Sequence, residues 1–197
     1  MYILAEVRIM NKGAFMRAQV NQYAFLISKW RSVVIFVLMA VFPVSHIYAG
    51  PGVDILEATY AFSSFALNSS SVAVSSITVT NNGDVAEIFY IRAATNTIGS
   101  PWTVSADSVN GFNELVLQGV FHPAQPGHDQ FGAEDVINET GQAGQTTGEG
   151  GRYTVDDTQT GVNVPAGESR GLWLRFTLPL GTSTTDQQLV KVTVAAQ

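Results

Sequence analysis

From residue 72 to residue 195 the chain repeatedly alternates apolar and polar residues, and this period of two limits what it can fold into. Successive side chains of a strand point to opposite faces, whereas a helix needs a period near 3.6. Residues 172–178 (LWLRFTL) are the clearest case. Leu172, Leu174, Phe176 and Leu178 are expected inward, and Trp173, Arg175 and Thr177 outward. Residues 187–195 (QQLVKVTVA) repeat the pattern with Val190, Val192 and Val194. Residues 85–94 do so with Phe89 and Ile91 inward and Ile88, Tyr90 and Arg92 outward. Residues 113–121 place Leu115, Leu117 and Phe121 on one face, and Trp102 and Val104 share another. No long helical period competes. Several short strands separated by Gly, Asn and Ser predict an all-β, two-sheet antiparallel sandwich.

Two turns are expected from local chemistry. Asn82-Gly83 between strands 72–80 and 85–94 supplies the positive φ angles of a tight hairpin. Pro165-Ala166-Gly167-Glu168 puts Pro second and Gly fourth in a type I turn begun at Val164. Residues 54–67 supply one or two further strands. Residues 122–151 lack alternation and carry Gly141, Gly144, Gly148, Gly150 and Gly151 among acids and Gln. They read as a long Gly/acid-rich insertion between core strands, one whose removal (residues 127–150) the sandwich should survive.

The first 49 residues follow other rules. Lys29-Trp30-Arg31 precedes the apolar run 33–44 (VVIFVLMAVFPV), and Ile47-Tyr48-Ala49 precedes Gly50. Basic residues, a short apolar run and a small residue at the cut describe a secretory signal peptide. The run falls short of the roughly 20 apolar residues that span a bilayer. Residues 1–49 are therefore assigned to a signal peptide with a long basic region, for which Met10 and Met16 are alternative starts. Residues 50–197 form a single domain, exported to the periplasm, the cell surface or the medium, with no membrane span in the mature protein.

Removing that leader changes the charge balance. Of the chain's 10 Lys and Arg, only Arg92, Arg152, Arg170, Arg175 and Lys191 follow it, against nearly all of the 16 acids. Such a surface repels nucleic acid and anionic headgroups, and it also aids solubility. The chain has no cysteine, which excludes disulfides, thiolate metal sites and a Cys nucleophile.

Residues 77–87 (ITVTNNGDVAE), 100–105 (SPWTVS) and 164–178 (VPAGESRGLWLRFTL) stand in an order that resembles bacterial immunoglobulin-like domains of the NEW3/CARDB type. The resemblance covers most of residues 72–195. It implies an immunoglobulin-like architecture in an envelope or surface protein, and no chemistry.

Candidate sites were weighed against plainer roles. His122 and His128 are the histidines beyond the leader, and no Gly-x-Ser-x-Gly elbow occurs, so no enzyme is expected. Asp129, Glu134 and Asp135 follow His128 closely and could offer oxygens to Ca2+. Their spacing matches no defined loop, so a solvated acidic loop is expected and a Ca2+ site is the alternative. Tyr90, Trp173 and Tyr153 could stack on sugars if exposed, or pack under the insertion or in an interface. No cofactor is expected. The function these features favour is a non-catalytic envelope or extracellular protein that assembles with itself or a surface partner through sheet edges and outer faces, with the arm 50–71 as a candidate donor strand. A small glycan-binding module is the alternative.

Overall fold

The computed structural model describes residues 3–9, 51–55, 59–62 and 66–197. It is built mainly of strands, in two sheets. The first sheet has the order β3-β1-β11-β6-β9: β3 (Thr59–Phe62), β1 (Ile3–Ile9), β11 (Gln188–Ala196), β6 (Phe89–Thr95) and β9 (Gln142–Ala143). The second has the order β2-β5-β10-β8-β7: β2 (Val53–Ile55), β5 (Ile77–Asn81), β10 (Ser169–Thr177), β8 (Glu114–Phe121) and β7 (Thr103–Val104). A short β4 (Ser70–Val72) pairs with the far end of β10.

One apolar core takes side chains from both sheets. Phe89 and Ile91 of β6 and Val190, Val192 and Val194 of β11 are fully buried, as are Leu115, Leu117 and Phe121 of β8 and Leu172 of β10. Phe89 and Phe121 meet across the sheets with ring centroids 5.8 Å apart and planes tilted by 48°. The inward residues read from the alternation of β6, β8, β10 and β11 are the ones in this core.

Three expectations are corrected. The Asn82-Gly83 hairpin does not exist, because β5 and β6 belong to different sheets. Residues 82–88 instead cross between the sheets, organised by the fully buried Asn81. Its Nδ2 donates to the Val85 and Val164 carbonyls at 2.7 and 2.8 Å, and its Oδ1 accepts from Gly83 N–H at 2.8 Å. A Cβ at Gly83 would lie 2.2 Å from Glu87 Oε1, so any larger residue there would force the buried Glu87 carboxylate to move. The predicted strand 72–80 is split into β4 and β5, and the carbonyl of Ala73 in the gap accepts from Gln125 Nε2 at 2.7 Å. The Pro165 turn sits one residue later than expected. Glu168 N–H donates to Pro165 O at 3.1 Å, and Gly167 has φ +78°, the positive angle of a type II third position.

The basic and apolar stretches read above as a signal peptide, and the cut expected at Gly50, lie outside the described residues. The first residues do not: Ile3–Ile9, assigned from sequence to the leader, form β1 inside the first sheet.

Candidate functional site

The insertion is a folded layer over the β8–β10 face. It holds three 3-10 turns, His128–Gln130, Ala133–Asp135 and Thr147–Glu149, and it delivers β9 to the edge of the other sheet beside β6. Its large apolar residues are all buried. Ile137 enters the main core, and its N–H donates to Leu117 O at 2.8 Å. Phe131 packs with Val120 and Trp173 in a second buried cluster on the outer face of β8 and β10. Arg175 of β10 ties the layer down, donating to His128 O at 3.0 Å and to Ser70 Oγ at 2.9 Å. Gln118 of β8 donates from its Nε2 to Gly132 O at 2.5 Å.

This arrangement separates the three Ca2+ candidates. Asp135 is buried, and both its oxygens are taken by main-chain donors, Oδ2 by Gly132 N–H at 2.8 Å and Oδ1 by Tyr153 N–H at 2.7 Å. It is a structural clamp joining two distant parts of the insertion. Burial pushes its carboxyl up to about 7, against the opposing effect of those two N–H donors. Asp129 and Glu134 are exposed. Among the described residues no three His, Asp or Glu side chains converge as metal ligands.

The aromatic candidates are also separated. Tyr153 is fully buried, with its hydroxyl 3.4 Å from Val136 O. Trp173 is 7% exposed, and its Nε1–H donates to His122 O at 2.9 Å. Neither ring offers a face to a sugar, which corrects their assignment as binding residues. Tyr90 alone is half-exposed, on β6. His122 engages the Ala124 main chain through Nδ1, and its Nε2 lies 3.9 Å from Asp156.

A buried carboxylate had no signal in the sequence. Glu87 is 1% exposed in the crossing segment 82–88, and its main chain bridges to Val164. Its Oε1 accepts from Gly52 N–H at 3.2 Å, while Oε2 is buried with no hydrogen-bond partner among the described residues. Burial raises its pKa, the Gly52 N–H lowers it, and Asp84 adds to the rise.

Two surface features remain that can recognise a partner. At one end of the molecule the loops 66–69, 109–113 and 179–183 come together. Asn68 N–H donates to Pro179 O, Leu180 N–H donates to Gly111 O, and Phe112 bridges to Gly181. These loops expose Leu67 (43%), Val109 (66%), Phe112 (67%) and Leu180 (56%). The other feature is the set of sheet edges: β3, β9, β2 and β7, none longer than four residues. No described helix is long and apolar enough to cross a membrane. Neither a family model, a curated protein nor a solved structure matches the chain.

Proposed function

We propose that this chain is a non-catalytic, exported, immunoglobulin-like protein of the envelope or extracellular space that works by assembling with copies of itself or a surface partner. The apolar loop end carries this reading. Large apolar side chains gathered on neighbouring loops are costly in water and mark interaction surfaces. Phe112 and Leu180 are exposed there on the two segments joined by the Phe112–Gly181 main-chain bridge, while the domain buries most of its other large apolar side chains in two clusters. The leader sequence supports export, and the acidic remainder supports solubility before assembly.

The test is to express the full chain with its leader, recover the exported fraction and measure its mass by light scattering over a range of concentrations. Self-association that falls at least tenfold in affinity in Phe112→Ser/Leu180→Ser supports the reading, since each buried aromatic or Leu contributes on the order of 1–3 kcal/mol. Retention of the chain inside the cell refutes export. Unchanged association in the double variant refutes the loop end as the contact.

A further inference from the structure

We infer that cutting the leader opens a strand slot beside β11, and that the β3-bearing arm of a second copy fills it. This rests on the export proposed above.

β1 lies between β3 and β11. It pairs in parallel with β11 from Ile3↔Gln188 to Ile9↔Val194, and antiparallel with β3. Its sequence, ILAEVRI, alternates, and the register sets Ala5, Val7 and Ile9 opposite the fully buried Val190, Val192 and Val194. Glu6 stands opposite Lys191 in the same register.

Yet β1 precedes the basic residues 29–31 and the apolar run 33–44, whereas β11 follows them. The basic end of a signal peptide stays on the cytoplasmic side while the chain beyond it crosses. Export therefore puts β1 and β11 on opposite sides of the membrane, and the cut near Gly50 severs them.

The loss leaves two unpaired elements in every copy. β11 becomes an edge of nine residues, far longer than any other edge of the described sheets. A long unpaired edge with an apolar face is a template for another strand. β3 loses its one strand partner, β1, at the same moment. Each copy thus carries one acceptor and one donor.

The chain's own β3 is poorly placed to close the gap. β1 lies parallel to β11 and β3 runs antiparallel to it, so β3 would fill the slot in a different hydrogen-bond pattern, and reaching it takes a shift of a whole strand width, about 4.8 Å. Its direction is fixed by its neighbours in sequence, β2 and β4, which pair with β5 and β10 in the opposite sheet. An arm arriving from a second copy is free of that constraint. Donor and acceptor flank the same slot, so two copies can exchange arms in a closed dimer, or each can pass its arm on to the next copy in a ring or chain.

The experiment uses exported protein recovered from cells expressing the full chain, with Phe112→Ser/Leu180→Ser throughout so that association through the loop end does not contribute. Mass spectrometry fixes its N-terminus, and light scattering its mass. A synthetic peptide of residues 2–10 (YILAEVRIM) is then added, with an order-scrambled peptide as control. The expected result is an N-terminus near Gly50, a mass of two or more copies, and conversion by the authentic peptide alone to single copies carrying one peptide each. Tyr60→Pro, which removes a backbone donor from β3, should yield single copies that still bind the peptide. An oligomer indifferent to saturating peptide, or single copies with Tyr60 in place that ignore it, would overturn the inference while leaving export intact. An N-terminus still carrying residues 1–49 would overturn it differently, by refuting export itself.

Discussion

β10 and β11 are both nine-residue strands inside their sheets, and they differ in what holds them. β10 is flanked by β8 on one side and by β4 and β5 on the other, all from beyond residue 66. Its inner face enters the core, and its outer face is roofed by the insertion through Trp173, Phe131 and Arg175. β11 has β6 on one side and a strand from the start of the chain on the other. Its outward Leu189 and Lys191 are only partly covered. The lesson is that equal length and equal alternation do not mean equal security. β10 is complete within the domain, whereas β11 depends on a segment that the proposed export would remove.

The harshest way to break the comparison is to strip the roof from β10. Deleting residues 127–150 removes Phe131, Asp135, Val136 and Ile137, all buried, and should abolish cooperative unfolding as followed by circular dichroism. A native-like melting transition would show that the insertion is the dispensable loop its composition suggested.

Point substitutions on the outward faces come next. Trp173→Ala on β10 should cost about 3–5 kcal/mol, as much as Phe176→Ala on the inner face. Lys191→Ala on β11 should stay within about 0.5 kcal/mol. Denaturant titration of each variant measures the contrast, and equal losses at Trp173 and Lys191 would erase it.

A smaller effect separates two causes at Gly83. Gly83→Ala should cost about 1–3 kcal/mol through overpacking against Glu87, not through φ. The cost should shrink markedly in the Glu87→Ala background. An undiminished cost there would restore a backbone explanation.

A further contrast is a pH dependence of the roof. Asp135 has its folded pKa raised from 3.8 to about 7, so the folded state binds the proton more tightly than the unfolded chain. Its contribution is therefore greatest below about pH 4, declines as pH rises to about 7 and is flat above that. Asp135→Asn should flatten this slope in melting temperature measured against pH. A slope that the variant leaves unaltered would assign it to another group, Glu87 being the first to examine.

What could be read from the sequence follows from what alternation encodes. The inner faces of β6, β8, β10 and β11 were legible because their large apolar residues recur at every second position of the sequence, even where, as in β8, the outer face is buried as well. The insertion was not, because Phe131, Val136 and Ile137 are scattered apolar residues among Gly and acids, buried by their tertiary neighbours alone. Asn82-Gly83 misled because a local turn preference cannot reveal that the next strand joins the other sheet; the Asn81 side chain decides that segment. The buried carboxylates Asp135 and Glu87 look in sequence like any surface acid. ILAEVRI did carry a period of two, but it sits in a segment set aside as leader.

Amide hydrogen exchange tests the difference between the two strands most directly. The sample is exported Tyr60→Pro protein, unable to donate its arm, measured with and without the peptide of residues 2–10. The β10 amides should be protected equally in both conditions. The β11 amides that face β1 should exchange rapidly without the peptide and slow to the level of β10 with it. Full protection of β11 in the peptide-free protein would contradict the account, because the domain would then complete its own sheet without β1.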